Sequence, residues 1–133
     1  MKKLEHIGIA VKDLTKANLL FEKLLGKPHY KIEEVAGEGV RTSFFEIGGV
    51  KIELLEATND QSPIAKFIEK RGEGIHHLAF EVDDIERSIQ LNSENGFELL
   101  NKTPKDGADN KRIAFIHPKS ANGVLVEMCE EKK

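Results

Sequence analysis

Alternation between apolar and polar positions predicts two runs of short strands, each interrupted by an amphipathic helix. The first helix begins after Asp13, a candidate N-cap, carries Leu20 and Leu24 on its apolar face, and ends at Gly26. A short connecting helix begins at Ser62-Pro63 and ends near residue 72. The predicted strands are 6–11, 30–35, 40–47 and 50–55 in the first run and 75–82, 99–100, 112–117 and 123–130 in the second, where a helix spans about 85–95.

The two runs repeat one sequence pattern. The segment "HIGIAVKDL" from His6 matches "HLAFEVDDI" from His77 at an offset of 71 residues. The segment "GVKIELLE" around Glu53 matches "GVLVEMCE" around Glu127 at an offset of 74, so the second run carries three extra residues. Such self-similarity indicates a duplicated unit. We predict an α+β fold of two tandem βαβββ modules, about 1–57 and 74–133, joined by a helical linker over 58–73 within a single domain, 1–133.

Strand parity separates the two adjacent histidines. Successive strand residues point to opposite faces of a sheet, so His76 and His77 cannot both face one site. His76 shares its face with bulky apolar residues, whereas His77 shares its face with small ones, as His6 does in the first run. His6 and His77 are therefore equivalent by parity and by repeat, and His76 is predicted to lie on the packing face.

The repeated glutamates lie opposite the apolar residues of their strands. Glu53 and Glu127 each interrupt an aliphatic segment, and a buried carboxylate needs a partner. Each polar residue taken alone is better explained as an exposed strand position. The fourfold coincidence with His6 and His77 favours a metal site instead, and two imidazoles with two carboxylates suit a divalent transition metal.

Composition excludes several other classes of protein. The chain has 133 residues, 20 basic and 23 acidic, with a net charge of -3 and no basic stripe, so nucleic acid is not an expected partner. No long apolar run or targeting motif is visible, which predicts a cytoplasmic protein without membrane contact. The single cysteine, Cys129, fits a reducing compartment and is interpreted as a buried small residue rather than a nucleophile.

Three segments resemble the methylmalonyl-CoA epimerases, a family within the vicinal oxygen chelate superfamily, which includes glyoxalases, bleomycin resistance proteins and dioxygenases. They are "EHIGIAVKDL", "KIELLEATNDQSPIAKFIEKRGEGIHHLAFEVDDI" and "FIHPKSANGVLVEM", which span nearly the whole chain. The motif "HPK" followed by "GVLVE" is more specific to this family than the His strands. The resemblance implies a cupped mixed sheet of two βαβββ modules around a metal, the vicinal oxygen chelate fold.

The resemblance also implies site residues and an activity. It places a divalent metal, Co²⁺ or Mn²⁺ first and Zn²⁺ or Ni²⁺ as alternatives, on His6, Glu53, His77 and Glu127. It implies an isomerase that interconverts (R)- and (S)-methylmalonyl-CoA by α-proton abstraction, with Glu127 as a catalytic base. Lys119 is a candidate contact to coenzyme A, with a solvated turn lysine as the plain alternative. A homodimer is expected on the same ground.

The sequence departs from the family at a second proposed base. The segment "GVRTSFF" has Thr42 where some members carry a glutamate, and a threonine has no useful pKa for that role. Glu38 and Glu46 lie nearby, and parity places Glu46 on the face of Thr42. Glu46 is also explained as a solvated residue beside the Gly48-Gly49 turn.

Two other functions remain open at this stage. A glyoxalase I-like lyase would use a similar His and Glu set, although the "HPK" segment counts against this function. An extradiol dioxygenase would use two histidines and one carboxylate, so the second glutamate counts against it. A non-catalytic small-molecule-binding member of the superfamily would need no metal. The polar loop "TPKDGADNK" at 103–111 is either a surface loop or a lid over a ligand.

Overall fold

The structure, a computed structural model, describes residues 1–132 and divides into two compact units. The first unit is His6–His76, and the second unit joins Met1–Glu5 to the chain from His77 onward. Each boundary falls within a strand, and each such strand is described below with the unit that holds most of its residues. The predicted single domain, with its linker over 58–73, stays a prediction. No helix in the described part of the chain is long and apolar enough to cross a membrane.

The first unit follows a β-α-β-β-β plan and adds one helix. Its strands lie in the order β2-β3-β4-β1, in which β1 and β4 are parallel and the β2-β3 and β3-β4 pairs are antiparallel. The parallel pair requires a crossover, and the intervening helix and hairpins provide it. The elements are β1 (Lys3–Ala10), α1 (Leu14–Leu25), β2 (Lys31–Val35), β3 (Val40–Ile47), β4 (Val50–Ala57) and α2 (Pro63–Arg71).

The second unit repeats the plan. Its strands lie in the order β5-β8-β7-β6, with β5 and β8 parallel and the β6-β7 and β7-β8 pairs antiparallel. The predicted α+β class with two βαβββ modules is therefore confirmed. The elements are β5 (Gly74–Glu81), α3 (Ile85–Glu94), β6 (Lys105–Asp106), β7 (Lys111–Ile116) and β8 (Val126–Glu131).

One face of each sheet packs against the helix that follows its first strand. In the first unit, Leu14 of α1 is buried against Phe45 and Leu54. In the second unit, Ile85 of α3 is buried against Met128. Burial of a large aliphatic side chain contributes about 1.5–3 kcal/mol, so these contacts hold each helix on its sheet.

The helix α2 covers part of the opposite face of the first sheet. Its Ile64 packs against Ala10, Val40 and Leu55. Ala10 shares its strand face with His6, because the two residues are four positions apart on β1. The packing of α2 therefore closes one end of the face on which the first candidate ligands lie.

The outward side of α1 differs from the prediction. Leu20 is 58% exposed and Leu24 is 68% exposed, although both recur at helical spacing with residues of the core. Phe21 and Leu25 pack on the sheet instead. The helix has more apolar residues than one face can bury, and the spacing alone does not show which of them face the sheet.

The helices α1 and α3 are each fixed at the N-terminus by a glutamate from the last strand of the unit. Glu56 accepts a hydrogen bond from the Leu14 backbone N–H at 2.9 Å, and its other oxygen lies 3.3 Å from Arg41 on the neighbouring strand. In the second unit, Glu130 accepts from the Ile85 N–H at 3.0 Å. A carboxylate at this position satisfies an orphan donor and complements the helix dipole.

The arginine contact is repeated as well. Arg112 lies 3.1 Å from Glu130, its register partner on β8, and also pairs with Glu86 on α3. Asp13 and Asp84 cap the two helices, since each accepts a hydrogen bond from the backbone N–H three residues later, which confirms the predicted N-cap of the first helix. The internal repeat therefore extends to the network that joins strand ends to helix starts.

The three extra residues of the second unit lie between β7 and β8. In the first unit β3 and β4 are joined directly by Gly48-Gly49, both with positive φ, as the hairpin turn requires. The matching connection in the second unit contains a short 3₁₀ helix over Pro118–Ala121. The "HPK" motif therefore lies in the insertion that distinguishes the two repeats.

The prediction of a strand at 99–100 is wrong, because these residues do not form a paired strand in the structure. Leu99 forms only an isolated bridge to Ile116, and the paired segment is β6, inside the loop interpreted as irregular. The Asn101 side chain takes the place of strand pairing, since it accepts from the Phe115 N–H and donates to the Ile113 carbonyl. A strand of two residues has no period that a sequence pattern can reveal.

Replacing Glu56 by glutamine tests the helix-to-strand contact. We expect Glu56→Gln to lower the free energy of unfolding by about 1–2 kcal/mol, because the charged acceptor of the Leu14 N–H and the Arg41 pair are both weakened. Urea titration followed by circular dichroism measures this change. Glu69→Gln, an exposed position on α2, is the matched control. Equal stability of the two variants would contradict the assigned role of Glu56.

Candidate functional site

The first candidate pair joins β1 to β4. Gly8 is the register partner of Glu53, so His6, two residues earlier on the same face, lies beside the glutamate. The His6 Nδ1 atom is 3.2 Å from Glu53 Oε2. Glu53 is 3% exposed, and its charge must be compensated within the protein.

The second pair repeats this geometry within the second unit. Ala79 is the register partner of Glu127, and His77 lies two residues earlier on β5. The His77 Nε2 atom is 3.4 Å from Glu127 Oε1, and Glu127 is 5% exposed. Both predicted His and Glu matches thus become buried side-chain pairs at equivalent strand positions.

The chemistry of each pair fits a divalent transition metal. An imidazole nitrogen and a carboxylate oxygen, buried side by side, are ligands that such ions accept. A cation would also compensate the buried carboxylate charge, which the neutral form of histidine does not do. Each unit therefore provides one histidine and one glutamate, which is half of the four-ligand set predicted from the sequence.

His76 has a different environment. Its ring packs edge to face on Phe67 of α2, with centroids 5.0 Å apart. Burial lowers the pKa of His76 from 6.5 to about 4, so the imidazole is neutral at pH 7. The structure agrees with the parity prediction that His76 packs against a helix while His77 lies beside a glutamate.

A phenylalanine and a lysine extend each pair across the sheet, which the sequence reasoning missed. Phe44 is the register partner of Glu53, and Lys31 Nζ lies 4.6 Å from its ring centroid. In the second unit Phe115 is the register partner of Glu127. Phe44 and Phe115 are 71 residues apart, which is also the offset between His6 and His77. The internal repeat could therefore have identified the two phenylalanines as equivalent positions.

Phe115 also contacts its histidine and a lysine. Its ring packs edge to face on His77 at 6.1 Å between centroids, and Lys105 Nζ lies 5.6 Å from the Phe115 centroid. An aromatic face attracts a cation, and Phe115 lies on the same strand face as its register partner Glu127. Each unit therefore places a positive charge on the candidate-ligand face of its sheet.

The acid Glu46, which shares a strand face with Thr42, is held outside the candidate site. Thr42 is 1% exposed and lies on the face of Phe44 and Glu53. Glu46 accepts from the Gly49 N–H at 2.6 Å and lies 3.7 Å from Lys27, so it closes the hairpin turn. The turn interpretation of Glu46 therefore holds, and its carboxylate is committed outside the candidate site.

Lys119 and Cys129 occupy contrasting positions. Lys119 is exposed in the 3₁₀ turn after His117, and its backbone N–H donates to His117 Nδ1 at 3.0 Å. Cys129 is fully buried on β8 with Ala79 and Ile113, which agrees with its interpretation as a small core residue. A contact of Lys119 with coenzyme A stays a prediction.

A comparison with known families identifies the class of protein. The sequence profile of the glyoxalase/bleomycin resistance protein/dioxygenase superfamily matches residues 5–115. This match covers more than half of the chain, and it agrees with the βαβββ repeats of the fold. The chain belongs to this superfamily.

The relatives include methylmalonyl-CoA epimerases. The chain is 40% identical over 131 residues to the mitochondrial methylmalonyl-CoA epimerase of Dictyostelium discoideum, covering 98% of this chain and 78% of that protein. It is 42% identical over 132 residues to an uncharacterised protein of Bacillus subtilis, covering 99% and 94%.

A solved structure gives the same result. A methylmalonyl-CoA epimerase in complex with methylmalonyl-CoA and NH4+ is 31% identical, with a TM-score of 0.94, and the match covers 98% of this chain and 95% of that one. The resemblance that the sequence indicated is therefore confirmed, and the relatives that are named as epimerases are isomerases by their reaction.

Proposed function

We propose that this protein is an isomerase that interconverts (R)- and (S)-methylmalonyl-CoA. The observation that carries the proposal is the pair of buried His–Glu contacts, at 3.2 and 3.4 Å, at repeat-equivalent positions of a chain similar to these epimerases over nearly its whole length. In this proposal the two pairs would supply the donors of one ion, and the substrate class is that of the relatives.

The proposed metal ligands are His6, Glu53, His77 and Glu127. Co²⁺ or Mn²⁺ is the first expectation, with Zn²⁺ or Ni²⁺ as alternatives. A bound ion would supply a Lewis acid that stabilises negative charge on a thioester oxygen. Support comes from the burial of both carboxylates and from their adjacent imidazoles.

Glu127 is the proposed first base. Its carboxylate takes the proton from the carbon between the free carboxylate and the thioester, and the electron pair of the C–H bond moves into the enolate. Phe115, its register partner on β7, places an apolar ring on the same strand face as this carboxylate, which favours proton transfer with the substrate. Return of a proton to the other face of the planar enolate completes the inversion.

Deuterium exchange tests the proposed activity. We expect the protein loaded with Co²⁺ or Mn²⁺ to exchange the α-proton of methylmalonyl-CoA in D₂O and to convert each epimer into the other. Glu127→Gln should lower both rates by about a hundredfold or more. Glu131→Gln, an exposed neighbour on the same strand, is the control. Wild-type protein that retains metal but exchanges no deuterium would exclude the epimerase function.

The adjacent histidines give a separate test of the ligand set. We expect His77→Ala to lose most of the bound metal, because the imidazole beside Glu127 is removed. His76→Ala should retain it, because that ring packs on Phe67. Metal analysis of the purified, folded variants measures both. Equal loss of metal from the two variants would show that the parity assignment is wrong.

The contact of Lys119 with coenzyme A is testable by kinetics. We expect Lys119→Met to raise KM for methylmalonyl-CoA several-fold with little change in kcat, since an exposed lysine would contribute to phosphate binding but not to chemistry. Lys66→Met on α2 provides a control of equal charge. An unchanged KM would leave Lys119 as a turn residue.

We also keep a homodimer and a cytoplasmic location as part of the proposal. The homodimer rests on the family resemblance, and the location is retained as the expectation stated from the sequence. Light scattering of the purified protein measures the oligomeric state directly.

A further inference from the structure

The epimerisation needs a second proton carrier, and the sequence leaves that position open. Inversion requires that one group removes the α-proton and another supplies a proton to the opposite face of the enolate. Glu127 accounts for one of these groups in the proposed function. The position at which some relatives carry a glutamate is Thr42, which has no suitable pKa.

We infer that Glu33 is this second proton carrier, an inference that rests on the proposed function. Glu33 lies on β2 as the register partner of Thr42 on β3. Directly paired residues of neighbouring strands project from the same face, with Cβ atoms about 5 Å apart. A carboxylate from β2 therefore lies beside the position from which the family glutamate would project.

Strand register places Glu33 and the metal-ligand candidate on one face. Lys31 pairs with Phe44, and Phe44 pairs with Glu53, which forms a row across β2, β3 and β4. Glu33 and Thr42 form the next row, two residues along each strand. Two residues along a strand return to the same face, so Glu33 projects from the face of Glu53.

A contact with Lys31 gives the direction of the carboxylate. Glu33 Oε1 lies 3.6 Å from Lys31 Nζ, and that nitrogen lies 4.6 Å from the centroid of the Phe44 ring. The Phe44 side chain is next to Glu53. The Glu33 carboxylate is thus drawn along its strand towards the row that contains the candidate ligand.

Other acids on this face of the first unit are already committed. Parity places Glu33, Glu46 and Glu53 on it. Glu46 closes the Gly48-Gly49 turn, and Glu53 lies against His6. Glu33 is about one third exposed at its side chain, so its proton can exchange with solvent between turnovers.

The proton balance needs no further reactant. Glu127 takes the α-proton, and the C–H electron pair enters the enolate. Protonated Glu33 then gives its proton to the opposite face of the carbon, where the new C–H bond forms. Glu127 ends protonated and Glu33 ionised, which is the state required for the reverse direction, and exchange with solvent restores the starting state.

Replacing Glu33 by glutamine separates inversion from exchange. We expect Glu33→Gln to lower interconversion of the epimers by about a hundredfold or more. The epimer whose α-proton faces Glu127 should still exchange deuterium with retention of configuration, at a rate within a few-fold of wild type. Chiral separation of the thioesters, with mass spectrometry of each epimer, measures both rates in D₂O.

The control is Glu34→Gln, because Glu34 is the neighbouring residue, is exposed and projects from the opposite face of β2. It should leave inversion and exchange unchanged, and all variants should keep the metal content of wild type. Interconversion by Glu33→Gln within about threefold of wild type would overturn the inference, as would equal loss of exchange from both epimers. Absence of exchange in the metal-loaded wild type would overturn the proposed function and this inference with it.

Discussion

The burial of two carboxylates constrains the rest of this structure. Glu53 and Glu127 lie almost wholly out of water, where an uncompensated charge costs several kcal/mol. Each is held beside an imidazole by a parallel strand pair, and each is followed three residues later by a glutamate that binds a helix N-terminus. A register slip of one residue would move both kinds of glutamate, the one beside the imidazole and the one at the helix N-terminus, to the wrong face of the sheet. Correct strand register is thus a requirement of the site as well as of the core.

Much of this could be predicted from the sequence because its signals are local. Parity needs only the knowledge that a segment is a strand, and it separates His77 from His76 correctly. Caps such as Asp13 and Ser62 fix helix starts within a few residues, and α1 and α2 begin where these residues predict. The offset of 71 residues then transfers each interpretation from one unit to the other.

The remainder depends on pairing between strands that are distant in the chain. That Glu33 lies beside Thr42, or Phe44 beside Glu53, follows from register, which the alternation of a single strand does not specify. The short strand β6 exists only because β7 offers it partners. The exposure of Leu24 likewise depends on the limited width of the sheet that α1 covers.

The two units have the same residue types at the candidate-ligand positions and different residue types on the neighbouring strand edges. Glu33 pairs with Thr42 in the first unit, and at the equivalent edge-strand position of the second unit Lys105 pairs with Ile113. The proposed metal ion, with two imidazoles and two carboxylates as ligands, would be served by a duplicated His–Glu pair. A substrate with a carboxylate at one end and a thioester at the other has no such symmetry, so identical edges could not serve both ends. The opposite charges of Glu33 and Lys105 therefore mark where the duplicated scaffold acquires the asymmetry that the proposed substrate requires.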